Sequence, residues 1–170
     1  MKWVGAILVL IAATWVGFDL SRRLQQRPKQ IRQLISSLQV MEAEILYSQT
    51  SIIETSDNLA KQVPQPAAAF FQTLSDKLLL HPVDLYDCWE ETTEAWIDTT
   101  ALKTSEKDVW LQFGRTLGQH DFEQQQKHIQ LAKTHLEREL EESEEANQRY
   151  GKMIRNLGFL TGLLIVLLLI

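Results

Sequence analysis

The chain has 170 residues, of which 45% are hydrophobic, 23% charged and 8% aromatic, with a formal net charge of −5. That length suits one compact domain with short appendages, not two independent domains, and the apolar share argues against a disordered chain. The one cysteine, Cys88, excludes an intrachain disulfide and is compatible with a reducing compartment.

The charge is unevenly placed. Residues 33–151 carry 21 acidic and 9 basic side chains, a balance of −12, whereas residues 1–32 and 152–170 together carry 8 basic and one acidic, a balance of +7. An acidic middle is poorly suited to a phosphate backbone, so no nucleic-acid partner is expected.

Residues Trp3 to Phe18 are uncharged, and so are Asn156 to Ile170. As helices these runs would extend about 24 and 22 Å, short of the ~30 Å hydrocarbon core. Local thinning and snorkelling of Arg22, Arg23, Lys152 and Arg155 would absorb the mismatch, and Trp3 and Trp15 sit where an interfacial aromatic belt is expected. A cleavable signal peptide is the main alternative for the first run. No small-x-small cleavage site follows it, and the basic stretch after it (Arg22, Arg23, Arg27, Lys29, Arg32) resists translocation. The expected organisation is an N-terminal anchor at 1–20, a basic linker at 21–29, a cytoplasmic bundle at 30–151 and a C-terminal anchor at 152–170, with both termini across the lipid bilayer from the bundle. Each anchor has a small-xxx-small pair, Ala13 with Gly17 and Gly158 with Gly162, which permits close helix approach in lipid. Ordinary small residues in short helices are the plainer reading.

Pro28 is expected to break the chain between the first anchor and the next helix. Ile31, Leu34, Ile35, Leu38, Met41 and Ile45 then trace one apolar stripe, and Val40, Ala43 and Tyr47 a second face. Ser51 with Glu54 reads as a capping box for a short helix through Lys61. Pro64 and Pro66 end it, and Pro66 opens a third helix with Phe70, Leu74 and Leu78 inward. After His81-Pro82, Leu85, Trp89 and Trp96 line a fourth. Ser105 with Asp108 starts a fifth, carrying Val109, Trp110, Phe113 and Leu117, and Gly118 terminates it. Asp121 is the expected cap of the longest helix, where Phe122, Ile129, Leu136, Leu140, Tyr150 and Ile154 recur at helical spacing into the second apolar run. Its glutamates at 137, 139, 141, 142, 144 and 145 interrupt the stripe and predict a solvated stretch. No hairpin signal occurs. The predicted fold is all-α, an antiparallel bundle of about six helices flanked by two short transmembrane helices.

Signals of catalysis are sparse. No phosphate-binding glycine loop and no G-x-S-x-G elbow is present. His128 and His135 are seven apart, too far for one ion, which leaves His135 with Glu139 as a pair lacking a third ligand. No cofactor is expected. Glu90, Glu91 and Glu94 beside the Trp89/Trp96 face, and Glu42 and Glu44 with Tyr47, are candidate partner-binding residues; for the acids a solvated helical face is the plainer reading. Glu42 falls at the edge of the buried stripe, where a carboxylate needs a partner, inside the bundle or from another protein.

The runs RPKQIRQL at 27–34, MEAEILY at 41–47, LGQHDFEQQQKHI at 117–129 and LGFLTGLL at 157–164 resemble the stage III sporulation protein AB family of endospore-forming bacteria. The resemblance spans nearly the whole chain. It implies a subunit of the channel-like complex joining mother cell and forespore, in the membrane of the mother cell around the engulfed forespore. It also implies a soluble domain similar to the platform protein of type II secretion and type IV pilus systems. By that analogy the expected partners are a cytoplasmic secretion-type ATPase and other membrane subunits, and no catalytic residues carry over. A small membrane-bound metal enzyme using His135 and Glu139 is the alternative. A two-anchor signalling protein would need a sensor domain across the membrane, which the charges do not place there.

Overall fold

The computed structural model describes residues 2–46, 50–80, 84–118 and 122–169, with the backbone alone for Leu46, for Phe122 and for most of 2–20 and 152–169. It contains six helices in order, α1 (Lys2–Leu46), α2 (Ile52–Gln62), α3 (Ala67–Leu80), α4 (Leu85–Ile97), α5 (Thr104–Thr116) and α6 (Phe122–Leu169), with no strand among the described residues. Two compact units result: Met1–Pro28 with Glu142–Ile170, and Lys29–Glu141.

The larger unit is the expected antiparallel bundle. On α1, Ile31, Leu34, Ile35, Leu38 and Met41 are buried as the stripe requires, and Val40 and Ile45 pack against the core. Ala43 is exposed, so the expected second face is only partly covered. Ser51 caps α2, its Oγ accepting the Glu54 N–H at 3.3 Å. Gly118 closes α5 at φ +77°, a conformation glycine adopts without steric cost.

Six aromatic side chains form the centre. Phe70 meets Trp89 and Trp96 with ring centroids 5.0 and 5.3 Å apart, and Trp89 lies 5.0 Å from Trp110 and 5.6 Å from Phe113. Phe71 stands edge-on to Phe70 at 5.2 Å. Such pairs add about 0.5–1.5 kcal/mol each beyond the area they bury. The indole of Trp89 donates to the Trp110 carbonyl at 2.9 Å, and that of Trp96 to the Pro66 carbonyl at 2.9 Å. These bonds satisfy the polar edge of each ring and tie α4 to α5 and to the start of α3.

Three sequence expectations need correction. Pro28 does not break the chain, because α1 runs through it from Lys2 to Leu46. Proline removes the N–H that would reach Leu24 and crowds that residue's carbonyl, and the helical bonds on either side carry α1 on. The start of α5 is capped from Glu106, not Ser105: its carboxylate takes the Lys103 N–H at 2.7 Å. Finally, the glutamate-rich stretch of α6 is not uniformly solvated. Glu139 is buried, and the Ser105 hydroxyl of α5 donates to it at 2.9 Å.

Other expectations fall outside the described residues: the Asp121 cap, the His81-Pro82 break, and the side chains of Tyr47, Phe122 and Ile154. Among the described residues no helix is long and apolar enough to cross a membrane. The side chains of Trp3, Ala13, Gly17, Lys152, Arg155, Gly158 and Gly162 lie outside that description, whereas Trp15, Arg22 and Arg23 are exposed. Arg23 pairs with Asp19 at 3.6 Å along α1.

Gly114 explains the closeness of α4 and α5. A Cβ built there would stand 2.2 Å from Trp89 Cδ1 and 2.6 Å from Cγ. Gly114→Ala is expected to destabilise the purified chain by about 1–3 kcal/mol through overpacking, read as a lower denaturation midpoint at unchanged slope.

Candidate functional site

The acids singled out from the sequence divide into two groups. Glu42 and Glu44 are internal braces. Glu42 accepts from Gln126 Nε2 at 3.2 Å and from Gln130 Nε2 at 2.9 Å, and Lys133 Nζ lies 3.5 Å away. Both partners of that ion pair are about 15% exposed or less, so the pair is largely withdrawn from water. Its requirement for a partner is therefore met inside the bundle, between α1 and α6. Glu44 takes the Thr50 hydroxyl at 3.1 Å and Asn58 Nδ2 at 3.5 Å, fastening the end of α1 to α2. Lys133, Gln126 and Gln130 were not singled out from the sequence. Their spacing of three and four residues was the available signal, because it puts all three on one face of α6.

Glu90, Glu91 and Glu94 on α4 are surface groups, each engaged by a neighbour. Glu90 accepts from the Tyr86 hydroxyl at 2.8 Å, and that oxygen in turn accepts from Arg115 Nε at 2.8 Å. The Tyr86 hydrogen bond pushes the Arg115 pKa up, and the guanidinium also lies 5.1 Å from the Tyr86 ring centroid. Glu91 meets Lys77 of α3 at 2.9 Å, and Glu94 meets Lys107 of α5 at 2.7 Å. The Glu94 hydrogen bond raises the Lys107 pKa. Glu91 and Glu94 keep 76% and 53% of their side-chain surface open, so both remain reachable from solution.

The histidine face is arranged for packing. His128 and His135 line a shallow cavity between α5 and α6 with Val109, Phe113, Thr116 and Leu131. Seven residues of helix separate them by about 10.5 Å along the axis. Glu139 faces Ser105, and that hydroxyl also lies 3.4 Å from the fully buried Glu106. Among the described residues no group of three His, Cys, Asp or Glu side chains could hold a metal ion. The pairing of His135 with Glu139 as a reactive site gains no third member. Cys88 is buried, and desolvation pushes its thiol pKa up, so it stays a protonated packing group near neutral pH.

The comparisons with known proteins agree on one family. The family model of stage III sporulation protein AB matches residues 2–170. The chain belongs to this family. A member from Bacillus subtilis (strain 168), stage III sporulation protein AB, is 45% identical over 169 residues, covering 99% of both chains. A solved structure of stage III sporulation protein AB superposes with a TM-score of 0.68 at 45% identity, over 72% of this chain and 97% of that one. The family is one of stage III sporulation proteins and not a known enzyme family.

The two groups of acids should separate by stability. Glu42→Ala leaves Lys133 without its buried partner and is expected to cost about 1–3 kcal/mol in chemical denaturation. Glu91→Ala and Glu94→Ala are each expected to cost less than about 1 kcal/mol, as exposed pairs do. Cys88 is expected to resist alkylation in the native chain and to react freely once the chain is unfolded, read by mass spectrometry.

Proposed function

We propose that this chain is a non-enzymatic membrane platform: an assembly subunit of the mother cell–forespore channel complex that docks a cytoplasmic secretion-type ATPase. The observation that carries the reading is the continuity of α1 and α6. Each is unbroken between the bundle and an uncharged terminal run, α1 over Lys2–Leu46 and α6 over Phe122–Leu169. Membership in a stage III sporulation family supports the process. The uncharged runs at 3–18 and 156–170, with their basic collars, support anchorage at both ends, with residues 30–151 cytoplasmic and both termini across the bilayer. The membrane is then that of the mother cell around the forespore, and other membrane subunits of the channel are the lateral partners.

A platform works by contact and position, so its chemistry lies in surfaces. With Glu42 and Glu44 occupied inside the bundle, the docking face narrows to α4, where Glu91 and Glu94 remain open. Acids on an open helical face speed encounter with a basic patch.

The test is a charge reversal in the full chain, Glu91→Lys with Glu94→Lys, scored by co-purification of the secretion-type ATPase. The expected result is a loss of about tenfold or more in recovered ATPase, with the denaturation midpoint nearly unchanged. Undiminished recovery would remove this docking face. Protease protection gives an independent check on topology: accessibility of residues 30–151 from outside the cell would overturn the cytoplasmic placement.

A further inference from the structure

The smaller unit joins the beginning of α1 to the end of α6, and two contacts set how these helices meet. Ser21 Oγ donates to the Gly151 carbonyl at 3.4 Å, and Arg27 Nη1 lies 3.9 Å from Glu142 Oε1. Rising numbers on α1 meet falling numbers on α6, so the pair is antiparallel. Ser21 and Gly151 are both buried.

Helix geometry carries this register outward. Both elements stay helical beyond the contact, as far as Lys2 and Leu169. Seven and eleven residues return to nearly the same face of a helix, at about 100° per residue. Stepping back from Ser21 along α1 reaches Thr14 and Leu10. Stepping forward from Gly151 along α6 by the same amounts reaches Gly158 and Gly162. Equal steps keep the partners level, so Thr14 stands at the height of Gly158, and Leu10 at that of Gly162.

Exposure supplies an independent check on the face. Trp15, six residues from Ser21, lies about 120° around α1, and Leu160, nine from Gly151, lies about 180° around α6. Trp15 is 73% exposed and Leu160 57%. Asp19, Arg22 and Arg23 on α1, and Met153 and Asn156 on α6, are also off the contact face and exposed.

We infer that the two apolar runs form one antiparallel two-helix insert within a single chain, with position 14 of α1 level with position 158 of α6 and position 10 level with position 162. Small residues such as glycine let helix backbones approach closely in lipid, and positions 158 and 162 are both glycine, whereas position 13 falls toward the edge of this face of α1. The glycine edge of α6 is thereby occupied by the chain's own α1. Lateral partner helices must approach the outer faces that carry Trp15 and Leu160. The pairing stands on helix geometry; its use as a bilayer insert rests on the platform reading.

Disulfide trapping in the full chain carrying Cys88→Ser tests the register. Thr14→Cys with Gly158→Cys, oxidised in its native membranes by copper phenanthroline, is expected to yield a faster-migrating monomer on a non-reducing gel. The off-face pair Ala12→Cys with Gly158→Cys should react at least about tenfold more slowly, since a disulfide needs Cα atoms within ~7 Å. Equal rates, or a covalent dimer as the main product, would overturn the inference. Because cysteine at a glycine site can disturb packing, a second measurement uses Ser21→Cys with Gly151→Cys, whose trapping should fall when Gly158→Ile is added and persist with Leu160→Ile. Persistence with both would likewise overturn it. Carbonate extraction of the unmodified chain reads the platform proposal alone: trapping in an extractable chain sustains the pairing and removes the anchor, and retention without trapping does the reverse.

Discussion

The indole of Trp89 occupies the space that any side chain at position 114 would fill, and the packing of the bundle depends on that fit. With a bare backbone at Gly114, α5 comes close enough for Trp89 to donate to the Trp110 carbonyl, which satisfies a ring nitrogen in a fully buried side chain. Trp89 then reaches Phe70, Trp110 and Phe113 within 6 Å, so one side chain connects α3, α4 and α5. A bundle of short helices has few residues per helix to bury, since α2 to α5 are 11 to 14 residues each. Concentrating large rings at one level compensates for that shortness, because each ring removes far more apolar surface from water than an aliphatic side chain does.

Around this centre the polar groups decide which helices meet and at what height. Glu42 engages Gln126, Gln130 and Lys133 on successive turns of α6, and Ser105 reaches Glu139 from α5. Gln30 on α1 accepts the Ala101 N–H at 2.7 Å, and Gln33 donates to the Gln65 carbonyl at 3.0 Å. These bonds are directional where apolar contacts are not, so a helix that slid by one turn would leave buried acceptors unpaired. Of the acids singled out from the sequence, Glu91 and Glu94 on α4 remain open to solution.

The continuity of α1 alters how the two ends relate. A break at Pro28 would have left the first apolar run loosely tied and only the second rigidly joined. Instead α1 and α6 are each unbroken, and they meet at Ser21 and Gly151, just inside the two runs.

Much of this architecture was legible in the residues themselves. Helical spacing determined the helices and their inward faces: Ile31 to Met41, Phe70 with Leu74, Trp89 with Trp96, and Ile129 with Leu136 all lie where a period of 3.6 puts them. Local chemistry determined the ends at Ser51 and Gly118, because a cap depends on residues within one turn. The identity of the family was carried by ordered motifs along the whole chain. What only the tertiary structure decided depends on residues far apart. Whether Glu42 faced a partner protein or Lys133, whether Glu139 was solvated or held by Ser105, and why position 114 must be glycine are all set by neighbours on another helix. Periodicity reports which side of a helix is apolar, but not which helix stands opposite or at what height. Pro28 shows the same limit, since the cost of one missing hydrogen bond is local while the packing that outweighs it is not.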